Sequence, residues 1–296
     1  MKKDITELFV FIDDFCTAAD LMLNQHLINK DSHDKQRKPT RESQMKLSEI
    51  LSIVLLYQKS PCKNFKYFYN SYLQMYRQDF PSLVSYERFV VLKPRILEIL
   101  AMLLQWIISL STPTGNSFID ATSINVCHSK RIRRNKVFKG LAKLGKTTKG
   151  WFYGFKLHLV INENGEIHGA KLTAGNVDDR TPVPNLVKHL TGLLFGDKGY
   201  IKSELFTTLY AQGLKLVTGI KSNMKNILMP LSEKRMLKKR SIIETVFDYL
   251  KNKFEIEHSR HRSFWNFLVH IMATLVIYSL KTNKPKIKNN YSLAAM

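Results

Sequence analysis

Three acidic residues occupy positions where carboxylates can do chemistry. Asp197 ends the apolar run LLFGD, Asp120 interrupts the apolar residues of FIDATSINVC, and Glu244 lies in the amphipathic segment RSIIETVFDYLKNKFEIE. Carboxylates held close together repel each other and raise a pKa, unless a divalent cation bridges them. Hard oxygen ligands suit Mg²⁺ or Mn²⁺. Two such ions can drive phosphoryl transfer, one at the attacking oxygen and one at the leaving oxygen.

Each acid also has an ordinary structural interpretation. Asp197 can be a solvated strand end, Asp120 a surface acid on an edge strand, and Glu244 half of an i,i+4 ion pair on a solvated helix face. Asp178 and Asp179 compete for the metal role, although their place before a predicted helix favours capping. The three acids can form a metal site only if the fold brings them together.

The segment around Glu244 predicts a helix with two distinct faces. At 100° per residue, Arg240, Glu244 and Lys251 fall on one line at the edge of an apolar stripe. That stripe consists of Ile243, Val246, Phe247, Leu250 and Phe254. A carboxylate therefore projects beside the core, with a cation on either side of it along the helix.

The elements that must position these acids follow from period and turn signals. Strands are predicted over 118–127, 154–162, 166–174, 193–197 and 214–220. A helix is predicted after Asp179, with Pro182 in its first turn. Further helices are predicted over 203–212, near 240–256 and over 264–280. Asn164-Gly165 is a strong hairpin signal. This order predicts an α/β mixed sheet with helices on its faces, in which the first and fourth strands can be neighbours.

Residues 1–112 predict an all-helical domain. Apolar residues recur at helical spacing before Pro61, a second helix begins near residue 65, and Ser85 can cap a third that is kinked at Pro94. A helix-turn-helix-like DNA-binding domain and a plain helical bundle both fit this pattern. A charged loop is predicted over 29–43, and a linker over 111–117 separates this domain from a second one at 113–296.

Composition points to a polyanionic partner. The chain has 46 Lys and Arg against 24 Asp and Glu, for a net charge of +22. DNA, RNA and an anionic membrane surface are the polyanions that a chain of this positive charge would attract. The apolar stretches 96–111 and 264–280 contain polar residues and are short for a span, so we expect buried helices and no membrane. The three cysteines form no CxxC motif, and the N-terminus lacks an export signal.

Basic residues cluster on either side of the acids in the sequence. The basic segment, residues 128–151, holds nine Lys and Arg and no acid, and a second cluster at 221–240 leads to Glu244. Trp151 and Tyr153 can stack on a base, but the sequence favours core packing for both. The predicted DNA contacts are Arg131, Arg133, Arg134, Lys136, Lys139, Arg240 and Lys251.

In combination these motifs resemble a known family. IDATSI, AGNVDDR, GDKGY and the Arg240-x₃-Glu244-x₆-Lys251 spacing are similar to DDE transposases of bacterial insertion sequences in the insertion-sequence-4-like group. The short gap between Asp197 and Glu244 leaves no room for the inserted β domain of some relatives. With KLSEILSIVLLYQ and FKYFYN, the chain most resembles the insertion sequence 982 family. Leu237 departs from the pattern, because many relatives have Tyr there.

The resemblance implies an RNase H-like fold in which Asp120, Asp197 and Glu244 hold two Mg²⁺ ions, with Mn²⁺ as a substitute. It implies double-stranded DNA partners, namely the terminal inverted repeats and the target, a homodimer on paired ends, and a cytoplasmic, nucleoid-associated location. The freed 3′-OH of the element would attack target DNA. An RNase H-like metal-dependent nuclease and a non-catalytic transposase-derived DNA-binding protein remain as alternatives, with a basic RNA-binding scaffold more distant.

Overall fold

The computed structural model describes residues 2–28, 44–148, 150–225, 228–257 and 261–287. The chain divides into two compact units: Met1–Trp106 with Ser263–Ile277, and Ile107–Arg262 with Tyr278–Met296. The charged loop predicted over 29–43 lies outside the described residues. The domain boundary predicted at residue 112 stays a prediction.

The N-terminal part of the chain is helical throughout its described residues. Ser85 caps its fourth helix by accepting a hydrogen bond from the Arg88 N–H, and a 3₁₀ stretch, Lys93–Ile96, marks the kink predicted at Pro94. The helices are α1 (Lys2–Ile28), α2 (Leu47–Lys59), α3 (Phe65–Tyr67), α4 (Tyr86–Leu92) and α5 (Leu97–Ser109), and two further helical turns, Phe68–Tyr72 and Leu73–Asp79, follow α3.

Aromatic packing and one late helix complete this helical unit. The rings of Phe65 and Tyr69 lie 5.7 and 4.8 Å from that of Phe89. Near the C-terminus, His270 Nδ1 and Gln58 Nε2 are 2.9 Å apart and buried, and Asn266 donates a hydrogen bond to the Val90 carbonyl. The helix that carries His270 and Asn266 therefore belongs to the core of a unit built mainly by the first hundred residues.

The second unit is built on a six-stranded sheet with helices between and after the strands. The strands are β1 (Asn116–Cys127), β2 (Lys143–Thr147), β3 (Gly150–Asn162), β4 (Ile167–Ala174), β5 (Gly192–Phe195) and β6 (Leu214–Val217). The helices are α6 (Val183–Leu186), α7 (Ser203–Ala211), α8 (Leu231–Lys238), α9 (Ser241–Asp248), followed by a wide helical turn at Tyr249–Lys253, and α10 (Phe264–Ser279), most of which belongs to the helical unit.

The sheet is mixed, as the sequence predicted. Its order is β2-β3-β1-β5-β6, with antiparallel pairs up to β1 and parallel pairs from β1 to β6. β4 pairs with the later part of β3 through the hairpin predicted at Asn164-Gly165, where Gly165 has a φ of +69°. β1 lies between β3 and β5, so the edge-strand interpretation of Asp120 is wrong.

One face of the sheet carries an apolar core. Ile119, Val160, Leu194 and Leu216 pack there against buried residues of α6 and α7. Side chains alternate along a strand, so the residue after Ile119 points to the opposite face, where α9 packs against β1. Acids on that second face can approach α9 without entering the core.

Three local predictions differ from the structure. The sequence predicts no strand within the basic segment, yet β2 lies there and forms an edge strand on β3. The helix after Asp179 is confined to Val183–Leu186 and begins after Pro182, without a side-chain cap. The helix near 240–256 ends at Asp248 and continues only as the wide turn. Within the described ranges, no helix combines the length and apolar character needed to cross a membrane.

Candidate functional site

Asp120 lies on β1, and Asp197 lies two residues beyond the end of the neighbouring strand β5. β1 and β5 run parallel, with Phe118 opposite Phe195 as the last described pair. Each aspartate follows two residues later, so both side chains point to the same face of the sheet. Neighbouring strands are about 4.8 Å apart, which brings the two carboxylates into close range. The structure thus joins the first two predicted acids.

Glu244 reaches this pair through one cation. Arg240, just before α9, donates from Nη1 to Asp120 Oδ2 at 2.9 Å and from Nη2 to Glu244 Oε1 at 3.1 Å. The guanidinium is mostly buried, while the Glu244 side chain is 59% exposed. The i,i+4 pair anticipated from the sequence is present, and it is also the link between helix and sheet.

Burial sets the electrostatics of Asp120. It raises the pKa of the carboxyl above its usual value, and the charge of Asp197 adds to the rise. The Ala121 N–H, which donates to Oδ1 at 2.8 Å, and Arg240 act in the opposite direction. Asp197 is exposed, and its Oδ1 accepts a hydrogen bond from the Gly199 N–H at 2.8 Å. No cation pairs with Asp197 among the residues that the structure describes.

Tyr200 lies beneath the acids. Its ring belongs to the apolar core, and burial, reinforced by the charges of Asp120, Asp179 and Asp197, raises the pKa of its hydroxyl. That hydroxyl is buried without a hydrogen-bond partner among the described residues. The sequence marks this tyrosine as part of the GDKGY motif, and nothing in the pattern indicates a buried phenol next to the carboxylates.

Asp178 and Asp179 have other partners. Asp178 accepts hydrogen bonds from the backbone and side chain of Arg180, which hold its pKa well below the usual range. Asp179 forms an ion pair with Lys156 at 2.9 Å. Neither side chain caps α6, so the capping interpretation is wrong, and both carboxylates are engaged by cations.

Lys251 is held near the middle of β1 by a contact that the sequence did not reveal. Its Nζ donates to the Ser123 carbonyl and to Glu257 Oε1, both at 2.9 Å. The wide turn at Tyr249–Lys253 carries Lys251. Glu257 lies six residues after Lys251, which is not a spacing that places two side chains on the same face of a helix. No signal in the sequence therefore indicated the pair of Lys251 and Glu257.

The basic segment follows β1 directly. Three of its arginines lie on the 3₁₀ turn Ser129–Arg134, which is capped by His128. The exposed candidates for DNA contact on this segment are Arg131, Arg133, Arg134, Lys136 and Lys139. Among the described residues, no acid forms an ion pair with any of these five. Arg240 and Lys251, by contrast, are already engaged by carboxylates.

Trp151 departs from the expected core packing. It is 68% exposed at the start of β3, opposite Lys146 on β2. Tyr153, two residues later, is half-buried and donates a hydrogen bond to the Phe138 carbonyl at 3.3 Å. The core-packing interpretation is therefore wrong for Trp151.

The donor set of the site fits a divalent cation. Two like-charged carboxylates, the half-buried Asp120 on β1 and the exposed Asp197 just beyond β5, offer the hard oxygens that Mg²⁺ and Mn²⁺ prefer. Within the described residues, however, no group of three or more His, Cys, Asp or Glu side chains is arranged so that it could hold a metal ion. Arg240 bridges Asp120 Oδ2 and Glu244 Oε1, so a cationic side chain already occupies the space between these two acids.

Comparison with known proteins assigns the family. Residues 110–264, more than half of the chain, match the family described as "Transposase DDE domain", and the chain belongs to that family. No curated protein sequence gives a significant match.

One solved transposase structure supports the fold. A piggyBac transposase synaptic complex with hairpin DNA is similar at a TM-score of 0.50 and 12% identity, covering 83% of this chain and 68% of that one. Two Mos1 transposase structures, a paired-end complex and a pre-cleavage transpososome, give TM-scores of 0.24 and 0.23 at 10% identity, each covering 92% of this chain and 88% of theirs. The mixed sheet flanked by helices is the RNase H-like fold of DDE transposases, and the predicted fold class is confirmed.

Proposed function

We propose that this transposase binds the ends of its own mobile element, cleaves DNA there and joins the freed 3′ ends to target DNA. The observation that carries the proposal is the placement of Asp120 on β1 and Asp197 just beyond the end of the neighbouring β5, with Glu244 tied to Asp120 through Arg240. Family membership supports a DNA-cleaving role, and the finer statements below extend it.

Asp120, Asp197 and Glu244 would hold the divalent ions. When bound, the ions supply Lewis-acid activation of the attacking oxygen and stabilisation of the leaving one. Asp120 is suited to a fixed ligand position because its strand is central in the sheet and Asp120 itself is paired with Leu159 of β3. Glu244, exposed and on a helix, is suited to joining late, once Arg240 releases it. We expect two Mg²⁺ ions, with Mn²⁺ as a substitute.

The exposed arginines and lysines of the basic segment would hold the DNA. They follow the strand that carries Asp120, they are not neutralised by described acids, and each phosphate they contact releases counterions and adds to affinity. Arg240 and Lys251 would turn to phosphate when their carboxylate partners bind metal or move. The most similar family by motif is insertion sequence 982, and we expect a bacterial, nucleoid-associated homodimer acting on paired terminal repeats.

Cleavage of labelled duplexes that carry the element's own ends tests the proposal. Wild type should nick at those ends with Mg²⁺ or Mn²⁺, and Asp197→Asn should bind but not nick, because the change keeps the size of the side chain and removes its charge. Glu204→Gln is the matched control, since Glu204 is an exposed acid whose ion-pair partner in the described part of the chain is Lys202. Equal nicking by wild type and Asp197→Asn would remove Asp197 from the site.

A second arm separates strand transfer from simple hydrolysis. Pre-cleaved ends with a free 3′-OH are mixed with a circular target plasmid, and joined products are scored on a gel. Joining supports a transposase that completes the reaction. Nicking without joining indicates a nuclease of the same fold, and tight binding with neither reaction under any metal indicates a non-catalytic DNA-binding protein.

A further inference from the structure

A large aromatic side chain lies exposed within the basic segment. Trp151 is 68% exposed, and the Nζ of Lys146 lies over its ring, 5.7 Å from the centroid. The two residues are opposite each other in the β2–β3 register. Leu144, on the same face of β2, is also about half exposed. An exposed tryptophan with neighbouring apolar and cationic groups marks a contact surface, because its hydration is costly.

The hairpin beneath this tryptophan is anchored from its other face. Phe152 is buried, and a Cβ added at Gly145 would lie 2.2 Å from the Gly175 carbonyl oxygen. β2 therefore packs backbone to backbone on the chain after β4. Tyr153 fixes the next position through its hydrogen bond to Phe138. An anchored hairpin presents the indole with little further loss of conformational freedom on binding.

The positive charge around Trp151 indicates which kind of partner binds this surface. The basic segment contains nine Lys and Arg and no acid, and the whole chain carries +22. A second copy placed on this face would meet like charge, whereas a polyanion meets opposite charge. Among polyanions, nucleic acid also supplies flat apolar rings that stack on an indole.

We propose that Trp151 stacks on an unpaired DNA base while the surrounding basic residues hold the phosphates on either side of it. This inference rests on DNA being the substrate, as proposed above. The site takes a nucleobase that is displaced from the helix, and it tolerates any base because every base has a π face. Lys146, already over the ring, lies within reach of a phosphate next to the stacked base.

Three variants and three probes test the stacking. The variants are Trp151→Phe, which keeps an aromatic ring, Trp151→Leu, which keeps an apolar group, and Trp265→Leu, which removes an exposed tryptophan outside the basic segment. The probes are a duplex with one extrahelical 2-aminopurine, the same duplex fully paired, and the same bulge with an abasic nucleotide. Binding is measured by anisotropy, and stacking by quenching of 2-aminopurine fluorescence.

Wild type should bind the bulged probe about 5- to 100-fold more tightly than Trp151→Leu does, and should quench the fluorophore. Both proteins should bind the paired duplex within about twofold, since phosphate contacts supply that affinity. Trp151→Phe should restore most of the bulge affinity, and Trp265→Leu should behave as wild type. Wild type should lose its advantage on the abasic probe, where no base remains to stack.

Other outcomes overturn the inference in distinguishable ways. An equal loss on all three probes would make Trp151 a general support of the hairpin. No loss on any probe would leave it without a role in DNA binding. Conversion of an oligomer to a monomer by Trp151→Leu in sedimentation would identify a subunit interface. Failure of wild type to bind any of the probes would overturn the proposed function as well as the stacking.

Discussion

Arg240 donates a hydrogen bond to Asp120 at 2.9 Å and thereby ties the start of α9 to the centre of the sheet. Its second nitrogen engages Glu244, so one guanidinium bonds to two of the three acids. Asp120 is half-buried, and Arg240 offsets part of the rise in its pKa. The same contact places a cation in competition with any ion that the three carboxylates would share.

The first prediction concerns that competition. Arg240→Gln should lower the free energy of unfolding by about 1–3 kcal/mol at neutral pH without metal, because a partly buried carboxylate loses a charged partner. Excess Mg²⁺ should then stabilise the variant more than wild type, since no guanidinium opposes the ion. Thermal unfolding with and without MgCl₂ measures both effects.

Arg180→Gln is the control for Arg240→Gln. It breaks the ion pair with Asp178 and leaves the contacts of Arg240 in place. Its response to Mg²⁺ should match that of wild type. The same Mg²⁺ stabilisation in wild type and Arg240→Gln would mean that the guanidinium does not compete with the metal.

The second prediction concerns the basic segment. Arg131→Ala combined with Arg134→Ala should weaken DNA binding uniformly across sequences and reduce the slope of log K against log salt by about 2, since each lost phosphate contact contributes about 0.9. Lys171→Ala combined with Lys188→Ala removes the same charge from other exposed positions and should change the slope little. Salt titrations of DNA binding by both double variants measure these slopes. Equal slopes for the two double variants would mean that the weaker binding reflects net charge alone.

The third prediction concerns acid stability. Burial, opposed by the charge of Asp179 and aided by those of Lys156 and Lys171, lowers the pKa of His158 from 6.5 to about 4. The unfolded chain therefore binds a proton between these pH values while the folded chain does not, and stability falls as the pH drops from 6.5 to 4. The loss attributable to this side chain is about 3 kcal/mol.

His158→Gln tests the pH dependence, because glutamine does not titrate and can still bond Thr173, whose Oγ1 lies 2.8 Å from His158 Nε2. Urea unfolding at pH 7, 6, 5 and 4 (spanning about the two pKa values) should show a shallower decline for the variant. Parallel declines for the two proteins would show that other groups dominate the acid response.

The fourth prediction concerns the anchor of the hairpin. Gly145→Ala would place a methyl group against the Gly175 carbonyl and within 2.6 Å of the Phe152 ring. We expect a loss of about 1–3 kcal/mol from this overpacking, measured by denaturant unfolding. Leu144→Ala, on the exposed face of the same strand, should cost much less. Equal costs for the two changes would mean that the hairpin is not held through Gly145.

Much of the α/β unit could be predicted because its strands carry clear local signals. The Asn164-Gly165 turn set the β3–β4 hairpin, and helix and strand predictions at 203–212 and 214–220 agree with α7 (Ser203–Ala211) and β6 (Leu214–Val217) within a few residues. The proximity of Asp120 and Asp197 followed from topology alone, since parallel neighbours align their carboxyl ends. The structure confirms the strand neighbours, while the catalytic roles stay a prediction.

Other features lacked a local signal. β2 has one apolar side chain, Leu144, and that side chain is exposed. The sequence therefore shows no alternation of apolar and polar residues that would indicate this edge strand, which is held by backbone hydrogen bonds. The sequence WFYGF places aromatic residues at both parities, which left the inward face of β3 undetermined. Phe152 turned inward and Trp151 outward. The link from Arg240 to Asp120 joins residues far apart in the chain, which no spacing rule could indicate.

The position of α10 in the chain has a consequence for protein synthesis. α10 leaves the ribosome after every strand of the sheet, yet its His270 completes a buried contact with Gln58 of α2. The N-terminal helices must therefore wait with apolar surface uncovered while the α/β unit is made. Strict folding of one unit after another, from the N-terminus onward, is therefore not open to this chain. The unit translated first cannot be completed until α10 has been made, and a chain that stops before α10 never completes it.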